Sequence, residues 1–98
     1  MVITFAGVIA CDFPFEAEYE KFRSIHRGMS EAQVVEKLGA PTRVYHRADA
    51  PKDYYVKGYS REEREITNKV FIYIGSEPIA YIYFDDANTV EHVFVGGS

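Results

Sequence analysis

The residues able to do chemistry are few and scattered along the chain. They are three histidines (His26, His46 and His92), a single cysteine (Cys11), and the acidic turn Asp85-Asp86-Ala87-Asn88. A cysteine nucleophile needs its thiolate held by a nearby histidine or a helix N-terminus. No histidine lies near Cys11 in sequence. No HxxxH, HxH or CxxC spacing offers ligands for zinc. Asp85 and Asp86 are adjacent, so at a strand end their side chains point apart. Even with Asn88 they fall short of the roughly six oxygens that calcium takes, and they read as turn chemistry. His26 reads as a histidine at a helix end, where the macrodipole favours a positive charge. No phosphate loop, dinucleotide fingerprint or nucleophile elbow occurs. The sequence therefore predicts no enzyme, no cofactor and no metal centre.

Tyrosine is the richer signal. Eight tyrosines stand in 98 residues, and Tyr54, Tyr55 and Tyr59 fall within six positions beside Asp53 and Lys57. Tyrosine combines broad apolar area with a polar tip, and it is enriched where proteins meet. Tyr54, Tyr55, Tyr59, Tyr81 and Tyr83 are accordingly the candidate partner-contact residues. Two other readings stay open. The face carrying Tyr81 and Tyr83 can be covered by a second copy of the chain, or by the Tyr54–Tyr59 segment and the N-terminal stretch folding over it.

These residues need elements to position them. Asp12 can cap a helix with Pro14 at its start. Phe15, Tyr19, Phe22 and Ile25 give it one apolar stripe, and Gly28 is a natural left-handed stop. Ser30-Glu31-Ala32-Gln33 is a capping box, with Met29 and Val34 as the hydrophobic staple around it. Gly39 and Pro41 close that second, short helix. Thr42–His46 reads as an edge strand, and residues 47–53 as a polar loop. Tyr54–Tyr59 reads as a strand or an ordered loop. Ile66–Ile74, Ile79–Phe84 and Thr89–Val95 read as three strands of a meander. In the middle strand, Ala80, Ile82 and Phe84 take one face and Ile79, Tyr81 and Tyr83 the other. Asn88 suits a positive φ in the last hairpin. The predicted fold class is α+β, a two-layer sandwich of two N-terminal helices on a three- to four-stranded antiparallel sheet. Residues 1–11 form an apolar N-terminal segment and residues 12–98 a single domain.

Composition agrees with a small folded domain. Apolar residues make 47% of the chain and charged residues 27%, which excludes general disorder. Net charge is −4, and no Lys/Arg cluster is long enough to track phosphates, so nucleic-acid binding is not expected. Acidic residues outnumber basic ones by 8 to 5 in residues 50–98 and by 7 to 6 before them. That balance permits a basic protein partner. One cysteine rules out an internal disulfide. Val8-Ile9-Ala10-Cys11 has the residue order of a bacterial lipobox, in which the cysteine carries lipid. A secretory signal wants a basic region ahead of its apolar stretch, and residues 1–10 have none. They read equally as a truncated signal or as a native strand.

Two stretches then resemble a known family. Ile25-His26-Arg27-Gly28-Met29-Ser30-Glu31-Ala32-Gln33-Val34-Val35-Glu36-Lys37-Leu38-Gly39-Ala40-Pro41 is similar to the signature of the SmpA/OmlA, or BamE-like, lipoprotein family. Ala80–Val90 resembles that family's FDxxgxV hairpin. The resemblance spans roughly residues 20–95. It implies a non-enzymatic protein-binding module of the bacterial cell envelope, with Cys11 as the lipidation site and a membrane-assembly component as partner. Two departures stand out: Asn88 takes the hairpin position where the family usually has glycine, and Tyr54–Tyr59 lacks an expected tryptophan. The alternative is a small acidic immunity or inhibitor protein, cytoplasmic if Cys11 carries no lipid, that neutralises a basic toxin or enzyme.

Overall fold

The computed structural model describes the backbone of residues 14–97 and side chains from Glu18 onward. Cys11, the Asp12 cap and both readings of residues 1–11 lie outside the described residues. The elements run α1 (Pro14–Arg23), α2 (Glu31–Leu38), β1 (Arg43–His46), β2 (Lys69–Ile74), β3 (Ile79–Phe84) and β4 (Val90–Gly96). The four strands form one antiparallel sheet in the order β1-β2-β3-β4. Short turns join β2 to β3 and β3 to β4, and such turns dictate antiparallel pairing.

The start of α2 follows its local chemistry. Ser30 Oγ accepts from the Gln33 amide, and Gln33 Oε1 accepts from the Ser30 amide. Both halves of the capping box are thus made. Met29 and Val34 are buried in the same cluster, as the staple requires. Gly39 ends the helix at φ 82°, a conformation glycine adopts without steric cost.

The end of α1 differs from expectation. The helix stops at Arg23 rather than running to Gly28. Ser24 Oγ donates to the Lys21 carbonyl at 2.6 Å, and the Ile25 amide reaches back only three residues to Phe22. Such bonds compete with helical continuation. The chain then turns so that Ile25 and Met29 both enter the core. Gly28, at φ 93°, makes this turn, and its amide donates to the Val90 carbonyl.

The sheet separates two apolar clusters. On one face Phe71, Tyr73, Ala80, Ile82, Phe84 and Val90 pack against Phe22, Ile25, Met29 and Val34 from the helical segment. A bond from Tyr73 Oη to the Gly39 carbonyl fixes the C-terminal end of α2 over β2. Lys69 Nζ pairs with Glu31 at the other end of that helix. On the opposite face Val70, Ile72, Ile79, Tyr81 and Tyr83 meet Tyr54, Val56 and Ile66 from the long connection between β1 and β2. All six residues of β3 are buried. Ile66 is not part of a strand, and β2 begins only at Lys69.

This overturns one expectation. The face bearing Tyr81 and Tyr83 is not left open. Of the readings the sequence allowed, cover by the chain's own Tyr54–Tyr59 segment is the one observed. The physical reason is area: aromatic rings left in water forfeit a burial worth about 25 cal/mol per Å². The β1–β2 connection is long enough to reach across and recover it.

Candidate interaction site

The covering connection, here called the strap (residues 47–68), has no regular secondary structure. Loops of this length without their own helices or strands are uncommon, and are usually either functional or linker segments. Its order comes from side chains. Tyr54 Oη donates to the Arg64 carbonyl at 2.7 Å and shares a hydrogen bond with Tyr83 Oη, also at 2.7 Å. Tyr81 Oη accepts from the Val56 amide at 3.0 Å. Tyr55 Oη accepts from the Arg64 amide at 2.7 Å. The tyrosines thus satisfy backbone groups that a strap without β pairing would otherwise bury unpaired.

The rings also pack on one another. Tyr54 stacks on Tyr55 with centroids 4.2 Å apart, and meets Tyr81 edge-on at 6.4 Å. Arg61 lies over the Tyr55 ring and Arg64 over the Tyr83 ring. At the margin, Thr67 and Arg64 both reach Glu91, while His92 Nε2 meets the Glu62 carboxylate. The Ser60 amide donates to the Gly97 carbonyl. These contacts tie the strap to β4 along its length.

Burial controls the titration of the phenols. It raises Tyr83 to about 12, partly offset by the hydrogen bond with Tyr54. It raises Tyr73 to about 12 as well, with the Glu31 charge adding to the effect. Tyr54 and Tyr81 are also pushed up, chiefly by burial. Removing the phenolate from water disfavours the charged form. These hydroxyls are therefore neutral hydrogen-bonding posts.

The five sequence-selected tyrosines separate accordingly. Tyr54, Tyr81 and Tyr83 are 5%, 1% and 0% exposed and lie in the interior. Tyr55 and Tyr59 are half-buried and keep part of their surface. The reading of Tyr81 and Tyr83 as an exposed contact face is corrected by this burial. The histidines fall in separate elements: His26 in the α1–α2 turn, His46 on the outer strand β1, His92 on β4. Among the described residues, no three His, Cys, Asp or Glu side chains gather as metal ligands. Asp85 acts within its turn, with Oδ1 accepting from the Ala87 and Thr89 amides.

Sequence reasoning missed the outer margin of the sheet. Among the described residues, β1 pairs only with β2. Val44 on β1 is 41% exposed and Val35 on α2 is 39% exposed. The available signal was the basic run Arg43, His46 and Arg47 in a chain of net charge −4. A cleft of about 510 Å³ opens beside it, lined by Arg47, Lys52, Arg61 and Arg64 together with Asp53, Glu63 and Glu65.

The two stretches that carried the resemblance meet in space. The Val90 amide donates to the Met29 carbonyl, the Glu31 amide to the Asn88 carbonyl, and Ser30 bridges Thr89. Asn88 has φ 61°, as its place in the hairpin demands. Two helices over an antiparallel sheet, with the loop between the helices stitched to the last hairpin, define an α+β domain of the BamE type.

A family profile described as "Outer membrane protein assembly factor BamE domain" matches residues 17–93. The chain belongs to that family. Comparison with curated proteins and with solved structures finds no match. Among the described residues, no helix is long and apolar enough to cross a membrane.

Proposed function

We propose that this domain is a non-enzymatic protein-interaction module that serves outer-membrane protein assembly at the bacterial cell envelope. The match of residues 17–93 to the BamE domain carries this reading. The hydrogen-bonded seam between Met29 and Val90 supports it, because a pre-formed scaffold lowers the ordering cost of binding. Of the five tyrosines, Tyr55 and Tyr59 are the two that reach a partner without rearrangement of the strap. Cys11, in its lipobox-like setting, is the residue proposed to bear lipid.

The test uses the full chain in its native host. A photo-crosslinking residue at Tyr55 or Tyr59 should capture components of the outer-membrane assembly apparatus. Cys11→Ser should abolish incorporation of labelled fatty acid and release the protein from the membrane fraction. Crosslinks to a toxin or a soluble enzyme in place of assembly components would contradict the interaction reading. Unchanged lipid labelling of Cys11→Ser would remove the anchor.

A further inference from the structure

We infer that the free edge of β1 is a strand-addition site for an extended, acidic segment of another protein. This deepens the proposed function and rests on the domain being a protein-binding module.

The first observation is backbone geometry. The Arg47 amide bonds to the Asn68 carbonyl, which makes 47↔68 a hydrogen-bonded pair in the register Arg43↔Ile72 to His46↔Lys69. Antiparallel pairs alternate between bonded and non-bonded. Residues 43, 45 and 47 therefore point their amides at β2, while Val44 and His46 point theirs outward. The outward His46 amide is taken by Asp49 Oδ1 at 3.1 Å, and its carbonyl accepts from the Asp49 and Ala50 amides. Among the described residues, the N–H and C=O of Val44 have no partner and are left for an incoming strand. An edge of this kind is a ready template for pairing.

The second observation is what surrounds that edge. Val44 pairs with Phe71, so its side chain stands on the helix-bearing face, at the sheet margin that α2 flanks. Its exposed surface gives an incoming strand an apolar contact beside the main-chain bonds. The third observation is charge. Arg43, His46 and Arg47 follow one another along the edge, and neither Arg43 nor Arg47 forms an ion pair among the described residues. Arg47 also lines the cleft, whose other charged residues are of both signs: Lys52, Arg61 and Arg64 with Asp53, Glu63 and Glu65. Arg43 and Arg47, two exposed arginines without an ion-pair partner among the described residues, select a carboxylate-bearing strand by complementarity.

The experiment titrates a synthetic peptide of alternating glutamate and valine into the isotope-labelled full chain, read by amide spectra and hydrogen exchange. The alternating lysine–valine peptide is the control. The Val44 amide should shift saturably and gain exchange protection with the acidic peptide alone. Val44→Pro removes the outward N–H but no ladder bond, and should weaken binding about tenfold or more. Arg43→Glu with Arg47→Glu alters exposed side chains only, and should reverse the preference to the lysine peptide.

Equal binding of both peptides would overturn the inference, as would no response at Val44, or undiminished affinity in a folded Val44→Pro. Protection of Val44 that grows with protein concentration alone would assign the edge to a second copy and overturn it equally. Crosslinking from Tyr55 to assembly components alongside a silent β1 edge would leave the interaction-module reading intact and remove this inference by itself.

Discussion

The amide of Val90 donates to the carbonyl of Met29 across 2.8 Å. One residue opens the last strand, and the other stands just before the cap of α2. Through this bond the capping box and the final hairpin set each other's position. Met29 is held with its side chain in the core and Ser30 with its backbone extended, which is the geometry an N-cap needs.

Ser30→Ala should therefore cost about 1 kcal/mol. The loss removes an acceptor for the Gln33 amide and leaves that N–H to water. Urea unfolding of the variant beside the parent measures it. No change beyond error would mean that the Ser30 hydroxyl does not hold the helix start.

Tyr81→Ala with Tyr83→Ala should prevent folding. Each truncation empties a site in the fully covered face, and large aromatic-to-alanine changes in cores cost about 3–5 kcal/mol. Two together match the whole stability of a typical domain, about 5–15 kcal/mol. Circular dichroism and gel filtration decide it. A folded double variant with weakened partner binding would restore the open-face reading that burial of these rings contradicts.

Much of this arrangement is legible in the residues themselves. The capping box, the two faces of β3 and the positive φ of Asn88 all follow from local rules, because cap chemistry, the period of two and turn sterics act within a few positions. The end of α1 does not. Helical period extends the stripe through Ile25, but the bond from Gly28 to Val90 is tertiary and lies more than sixty residues away in sequence. The site is harder still. Tyrosine content marks Tyr54, Tyr55, Tyr59, Tyr81 and Tyr83 together, yet nothing local states whether a ring faces a partner or its own strap. The free edge of β1 becomes visible only when strand order is known.

Tyr54→Phe should destabilise the domain by about 1–2 kcal/mol. The hydroxyl bonds both the Arg64 carbonyl and Tyr83 Oη. Its loss leaves a buried phenol and a strap carbonyl under-satisfied, and each unmade buried bond costs on the order of 1 kcal/mol. Chemical denaturation with tyrosine fluorescence reads the change. A stability equal to the parent would mean that the Tyr54 hydroxyl adds nothing to what the other strap contacts supply.

Alkaline pH should loosen the fold through its buried phenols. Tyr73 and Tyr83 titrate near 12 when folded, against an ordinary value of 10.0. Below pH 10 both states keep the proton, so this contribution to stability is complete. Above it the unfolded chain loses protons first. Stability then falls by about 1.4 kcal/mol per pH unit for each such tyrosine, until the folded form also ionises near pH 12. Urea midpoints across this range test it, with Tyr83→Phe expected to flatten the slope. A midpoint constant from pH 9 to pH 12 would show that these phenols reach solvent in the native state.

Hydrogen exchange at the Val56 amide tests the sealed face most directly. That N–H lies in a strap without β pairing, and its partner is the buried Tyr81 hydroxyl. A strap that is part of the core opens only with the whole domain. Val56 should then exchange as slowly as the amides of β3. Exchange at the rate of a solvent-exposed loop, with β3 still protected, would show that the strap lifts independently and that the tyrosine face stands available after all.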